Sequence, residues 1–267
     1  MIQSDRSPSG RMPVLFIGHG SPMNAVYDNS FTRSLSSLGS SLRSLNPLAV
    51  LVVSAHWLTN GTRVSVNEKP KTIHDFGGFP EELYTIEYPA PGADELARET
   101  VGLIRSVKVA EDSTWGLDHG AWTVLRHMFP GADIPVYQVS IDYHKPAEHH
   151  FAIGEDLKPL RERGVLIIGS GNIVHNLYTV DYDEHAQPFP WAIEFDEIVK
   201  SALLRRDFET LVDYPGLGNT AMMAIPTNDH YLPMLYSLGA ADREEALSFT
   251  HEEIQNGSIS MRCFRIG

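Results

Sequence analysis

The length, composition and charge of the chain indicate a globular protein and exclude several classes. The 267 residues are 42% hydrophobic and 21% charged, which is ordinary for a globular fold with a sizeable core. Lys and Arg number 21 against 34 Asp and Glu, and the formal charge of −13 argues against nucleic acid as a partner. Apolar runs reach only about eight residues, whereas a membrane-spanning helix needs roughly 20, so we expect no membrane association.

The N-terminus and the cysteine content predict the cellular compartment. The opening stretch "MIQSDRSPSGRM" is polar and lacks the apolar region of a signal peptide, so residues 1–11 are expected to form a flexible tail. Cys263 is the single cysteine, and we expect it to be buried and inert in a strand. No intramolecular disulfide can form, which is typical of the reducing cytoplasm. Without cysteine pairs, any metal must be held by histidines and carboxylates.

Hydrophobic patterns predict alternating strands and helices along the chain. Continuous apolar, β-branched runs indicate strands that are buried on both faces, whereas "TRVSV" alternates and predicts a partly exposed strand. In chain order we expect strand 13–18, helix 28–45, strands 48–55 and 62–66, helices 93–107 and 119–129, strand 134–141, helix 146–162, strand 165–170, a helix at roughly 190–206, and a last alternating segment at 258–266.

This order predicts one α/β domain over residues 12–267. Strands that alternate with helices favour a mostly parallel central sheet flanked by helices. The final segment, 258–266, is expected to add an antiparallel edge. The connection 67–92 is long and rich in Pro, Gly and aromatic residues, which is typical of a functional lid.

Histidines occur where several of these elements begin or end. His19 and His56 directly follow two predicted buried strands, and His175 follows a third after a glycine turn. His230 opens a short helix-like stretch, and His119 begins a predicted helix. In open α/β sheets, ligands bind beyond the carboxyl ends of the strands. A single histidine at such a point is more often structural, but two with a distant third suit a catalytic divalent metal.

The other patterns do not compete with this hypothesis. The chain has no complete dinucleotide fingerprint, Walker loop, nucleophile elbow or HExxH sequence. A nucleotide-binding protein, a serine hydrolase and a zincin are therefore disfavoured as functional classes. Six further histidines lie in charged or helical surface patterns, and we interpret them as structural: His127, His144, His149, His150, His185 and His251.

Eight blocks together resemble a known family. They are "LFIGHGSPMNA", "VVSAHW", "TIHDFGGFPEELY", "YPAPG", "GLDHGAW", "GSGNIVHNL", "PFPWA" and "HYLPMLYSLGA". In this order they resemble the DOPA 4,5-dioxygenase-like branch of the class III extradiol ring-cleavage dioxygenases, whose fold is that of the protocatechuate 4,5-dioxygenase catalytic subunit. The resemblance covers nearly all of residues 12–267 and implies a mononuclear non-haem metal centre that opens catechols with O₂.

The resemblance also implies roles for individual residues. His19, His56 and His230 match the metal ligands, and His175 matches the catalytic base and could also reach the metal. His119 falls near the position of a second substrate-facing histidine that could return a proton. The loop 72–91 would cover the pocket, and from it His74 is expected to contact substrate.

One departure from the related enzymes bears on the metal. The protocatechuate-cleaving relatives complete their ligand set with a glutamate, whereas His230 stands at the matched position here, with Asp229 beside it. Three neutral imidazoles leave more positive charge on the metal and also suit Zn²⁺. We therefore expect one divalent metal per chain, Fe(II) for ring cleavage and Zn(II) in the protein as isolated.

The expected function is the opening of a small, DOPA-like catechol with O₂ to give a semialdehyde. The alternatives are a zinc hydrolase with metal-bound water as nucleophile and a catalytically silent metal-binding protein on the same scaffold. The expected partners are a small catechol and O₂, without nucleic acid or membrane, in a monomer or weak homo-oligomer. A carboxylated substrate would require a cationic partner, for which Arg63 and Lys71 are candidates.

Overall fold

The computed structural model describes residues 10–267, in which strands and helices alternate as predicted. The strands are β1 Val14–Gly18, β2 Ala49–Ser54, β3 Leu58–Thr59, β4 Thr62–Ser65, β5 Val109–Asp112, β6 Val136–Gln138, β7 Ile141–Asp142, β8 Val165–Gly171, β9 Leu247–His251, β10 Ile254–Gln255, β11 Ile259–Ser260 and β12 Cys263–Ile266. The helices are α1 Ser30–Arg43, α2 Glu81–Tyr84, α3 Asp94–Leu103, α4 His119–Met128, α5 Ala147–Leu157, α6 Pro190–Arg205, α7 Phe208–Val212, α8 Asn219–Ala224 and α9 Leu232–Ala240.

A six-stranded sheet forms the centre of a single α/β domain. Its strand order is β6-β2-β8-β1-β12-β9, and the first four strands run parallel to one another. Strands β1, β2 and β8 are buried along their whole length, as their continuous apolar sequences require. The predicted fold class is therefore confirmed. Smaller two-stranded sheets, β3-β7, β4-β5 and β10-β11, lie beside the central one.

The C-terminal segment differs from its predicted place at an edge. Strand β12 pairs antiparallel with β1 on one side and with β9 on the other, so β9 is the edge strand. The antiparallel direction was predicted and the edge position was wrong. Cys263 and Ile266 are both buried because β12 lies inside the sheet. Burial raises the pKa of the Cys263 thiol to about 12, which makes it inert as expected.

The ends of the predicted helices shift for identifiable reasons. Asn29 caps α1 in a capping box with Thr32, so the helix begins at Ser30 rather than at 28. Its apolar stripe packs against α4. Helix α5 ends at Leu157 and continues as a 3₁₀ helix over Lys158–Arg163, which stops at Gly164 in the left-handed region.

Two other expectations concern the exposed parts of the chain. Strand β4 is more buried than its alternating sequence suggests, since it pairs with β5 and packs under α3. Most of the predicted tail, residues 1–9, lies outside the described residues, while Arg11 pairs with Asp242. Among residues 10–267, no helix is long and apolar enough to cross a membrane.

Candidate metal centre

A cavity of about 500 Å³ opens at the carboxyl ends of β1, β2 and β8. Five of the histidines singled out in the sequence line it: His19, His56, His119, His175 and His230. Parallel strands end at the same edge of a sheet, which is why residues far apart in sequence meet here. The volume lies within the ordinary range for small-molecule sites.

Three of these imidazoles form a nearly equilateral triangle at the base of the cavity. The ring centroids of His19, His56 and His230 lie 5.0, 5.2 and 4.9 Å apart. One nitrogen from each ring lies within 4.8 Å of the other two. The Nε2 atoms of His19 and His56 are separated by 3.1 Å. Two nitrogens bound to one metal at about 2.1 Å lie roughly 3.0 to 3.4 Å apart, depending on the coordination angle.

The opposite ring nitrogen of each of these histidines has its own partner. Ser170 donates its hydroxyl hydrogen to the Gly120 carbonyl at 2.5 Å, so it accepts the Nδ1–H of His19 at 3.0 Å. Asp75 Oδ2 lies 3.3 Å from Nδ1 of His56, and Asp229 accepts a hydrogen bond from Nδ1 of His230. These partners favour the tautomer with the proton on Nδ1, which leaves the lone pair on Nε2 for a metal, as is normal for metal-binding histidines.

Burial keeps the three imidazoles neutral. It lowers the pKa of His19 and His230 well below the ordinary value and that of His56 to about 3, and the neighbouring imidazoles lower each pKa further. A neutral imidazole is the form that binds a metal. The donor set, the nitrogen separation and the protonation state therefore all fit one divalent metal.

His175 lies next to the triangle but is placed differently. It groups with Asp229 and His230 rather than with His19 and His56. Burial lowers its pKa to about 4, so it is a neutral proton acceptor. No hydrogen bond joins its ring nitrogens to another residue in the described part of the chain. This arrangement suits the predicted base better than the predicted additional metal ligand.

His119 is held at the cavity wall by a carboxylate that the sequence analysis missed. Asp75 accepts the backbone N–H of His119 at 2.8 Å through Oδ1 and approaches its Nδ1 at 3.0 Å through Oδ2. Burial alone would raise the pKa of Asp75, but the bond from His119 holds it below the usual value. Since Asp75 also contacts His56, one carboxylate orients two of the cavity histidines together.

The structure does not bring His74 to the cavity, although it precedes Asp75 in the sequence. Its Nε2 hydrogen-bonds with the Ile86 carbonyl at 3.0 Å, and its ring contacts Trp122 of α4. Phe76, Gly77 and Phe79 of the same loop line the cavity instead. The proposed lid segment thus contributes to the wall through its aromatic residues. The adjacent pair His74-Asp75 was the sequence signal for a site residue in this loop. Asp75, rather than His74, contacts the cavity histidines.

Neither cation suggested for a carboxylated substrate lies at the cavity. Arg63 approaches Asp112 at 3.4 Å, and Lys71 is outside the lining residues.

Close backbone approach fixes the position of His230. A Cβ added to Gly171, at the end of β8, would lie 2.0 Å from the carbonyl oxygen of His230. The backbone of the neighbouring Asn172 donates to that same carbonyl at 2.8 Å. Glycine at this position allows the strand end and the third imidazole to meet.

Known proteins match the chain over nearly its whole length. Residues 12–261 match the LigB family, described as the catalytic LigB subunit of aromatic ring-opening dioxygenase. A 4,5-DOPA dioxygenase extradiol from Escherichia coli is 49% identical over 97% of this chain and 96% of its own length. The protein of the same name from Beta vulgaris is 38% identical over 94% and 95%. The crystal structure of an uncharacterized E. coli K12 protein superposes with a TM-score of 0.84 at 44% identity, covering 96% of this chain and all of the other.

Proposed function

The chain belongs to the LigB family of aromatic ring-opening dioxygenases and is an extradiol dioxygenase, and on that premise we propose that it opens a small, DOPA-like catechol with O₂ at a divalent metal. The observation that carries the proposal is the convergence of three neutral imidazoles at the base of the cavity. The names of the E. coli and B. vulgaris relatives support a substrate of the DOPA class.

His19, His56 and His230 would hold the metal. When bound, the metal supplies Lewis-acid polarisation of the catechol oxygens and, as Fe(II), the redox capacity for reaction with O₂. His175 then accepts a catechol hydroxyl proton, since it is neutral and its ring nitrogens are free of other described residues. His119 faces the same space and returns a proton. Phe76 and Phe79 limit the access of water.

Iron is proposed as the active metal and zinc as a metal of the isolated protein. Three neutral imidazoles suit Zn²⁺, but the carboxylates of Asp75 and Asp229 contact Nδ1 of two ligands. Such partners make the imidazoles more basic and place negative charge directly behind the residues that would hold the metal. This charge compensates in part for the absent glutamate ligand.

The three-histidine set also supports a second candidate, a zinc hydrolase in which metal-bound water is the nucleophile. Such an enzyme would turn over without O₂. A catalytically silent metal-binding protein would show neither reaction.

The proposal also covers the cellular compartment and the oligomeric state of the protein. A single buried cysteine favours the reducing cytoplasm. We propose a monomer or weak homo-oligomer with a catalytic domain over residues 12–267, which analytical ultracentrifugation and N-terminal truncation would test.

The decisive experiment loads metal-free protein with Fe(II) under anaerobic conditions, adds DOPA and admits oxygen. Oxygen uptake in proportion to a yellow semialdehyde, absent with Zn²⁺, is the expected result. His56→Ala should lose both metal and uptake, whereas His144→Ala, at an exposed position, should keep both. An iron-loaded protein that takes up no oxygen with any catechol would contradict the proposal, and ester turnover with zinc would favour the hydrolase.

A further inference from the structure

The wall of the histidine-lined cavity carries carboxylate groups. Asp181 and Glu184 line it, whereas no Lys or Arg does among the residues that the structure describes. The lining also includes Pro22, Met23 and Ile259, which are apolar. The cavity therefore combines imidazoles that could hold a metal, apolar side chains and carboxylates.

Glu184 is held in place by neutral groups only. Its Oε1 accepts hydrogen bonds from Nδ2 of Asn29 at 2.7 Å and from Nε2 of Gln255 at 3.2 Å. No described residue forms an ion pair with it or bonds to Oε2. Asn29 is itself fixed as the N-cap of α1. The carboxylate is thus positioned by two amides that leave its charge intact.

A short chain of side chains connects Glu184 to the histidines. The same Nδ2 of Asn29 also donates to Oδ1 of Asn24 at 3.1 Å, and Nδ2 of Asn24 donates to the His19 carbonyl at 3.3 Å. Glu184 is therefore separated from the histidines by two asparagine side chains. Glu184 and the histidines thus face one cavity, so a ligand bound at the histidines shares that space with this carboxylate.

We propose that Glu184 determines substrate specificity by receiving the ammonium group of an amine-bearing catechol. This inference rests on the proposed function and adds the residue that selects the side chain of the substrate. An ammonium would gain a charge-assisted hydrogen bond at Oε2, whereas a catechol that carries only a carboxylate would be repelled. Asp181 adds to the local field, and the net charge of −13 attracts cations to the protein from a distance. Arg63 and Lys71 are not needed in this arrangement.

The test uses three catechols of similar size and different charge. Dopamine is cationic, 4-propylcatechol is neutral, and 3,4-dihydroxyphenylpropionate is anionic. Dissociation constants are measured with Fe(II)-loaded protein without oxygen, and kcat/KM is measured separately in air. Glu184→Gln removes the charge while keeping an oxygen that can accept from Asn29 and Gln255. Asp183→Asn is the matched control, since Asp183 lies on the same loop but outside the cavity lining.

The expected result is that dopamine binds about tenfold or more tightly than 4-propylcatechol, with the anion weakest. Glu184→Gln should abolish this preference, and Asp183→Asn should keep it. Equal binding of all three catechols, or an unchanged preference in Glu184→Gln, would overturn the inference even if every catechol is cleaved. Preferential binding of dopamine without oxygen uptake would uphold the inference and overturn the proposed function. Binding of none of them would overturn both.

Discussion

The imidazole rings of His175 and His230 stack face to face, with 3.5 Å between their centroids and an interplanar angle of 6°. His230 belongs to the triangle of converging nitrogens, whereas His175 does not group with His19 and His56. The stack thus places a neutral imidazole beside a member of the triangle without making it part of the triangle.

Replacement of His175 by Gln is expected to separate these roles. The variant should bind metal as the wild type does, because the triangle is intact, while kcat falls by about 10²- to 10⁴-fold through loss of the base. Elemental analysis and steady-state kinetics measure the two properties. His230→Gln is the comparison and should lose the metal. Loss of metal from His175→Gln would instead make His175 a ligand.

Replacement of Asp75 by Asn should weaken the site through His56 and His119. The amide lacks the charge that holds the proton on Nδ1 of both rings, so we expect metal affinity or activity to fall by about 10- to 100-fold. Competition with a chelator and kcat/KM are the measurements. His74→Gln, one residue away but directed at the Ile86 carbonyl, should have little effect on either. Equal losses in the two variants would indicate that only the folding of the loop is affected.

Replacement of Gly171 by Ala should displace His230. The new Cβ would lie 2.0 Å from the His230 carbonyl oxygen, which belongs to the backbone, so the strand end or the segment around His230 must move. We expect a loss of about 1–3 kcal/mol of unfolding free energy, together with weaker metal binding. Denaturant titration of the metal-free protein measures the first. Gly77→Ala, where nothing lies within 4 Å, should be nearly neutral, and the prediction fails if both behave alike.

His150 should make stability depend on pH away from the metal centre. It is fully buried in α5, where Tyr236 lies 2.9 Å from Nδ1 and the Lys145 carbonyl 3.3 Å from Nε2. Burial lowers its pKa from 6.5 to about 4, so the unfolded chain binds the proton more readily than the folded one. Its contribution is present above pH 6.5 and is lost as the pH falls towards 4.

Comparison with His150→Gln isolates this contribution, because the other titrating groups cancel in the difference. The wild-type advantage in unfolding free energy, measured in urea on metal-free proteins, should shrink between pH 6.5 and 4. Its slope cannot exceed about 1.4 kcal/mol per pH unit for one proton. A difference that does not vary with pH would contradict the prediction.

The sequence alone determined the central strands, the principal helices and the histidines of the site. Buried parallel strands such as β2 and β8 require continuous apolar runs, and local patterns of this kind need no knowledge of the remaining chain. His19 and His56 could be singled out because a histidine that directly follows such a run lies at the edge of the sheet where ligands bind.

The tertiary structure decided what joins these residues into one site. Asp75 reaches His56 and His119 because the long loop folds back onto the start of α4, and no local pattern encodes that contact. Glu184 reaches the cavity through Asn29, 155 residues away in the chain. The position of β12 inside the sheet depends on β9 pairing beyond it. Hydrogen bonds and strand pairs between distant segments depend on how the whole chain packs, whereas periodicity and strand ends are properties of neighbouring residues.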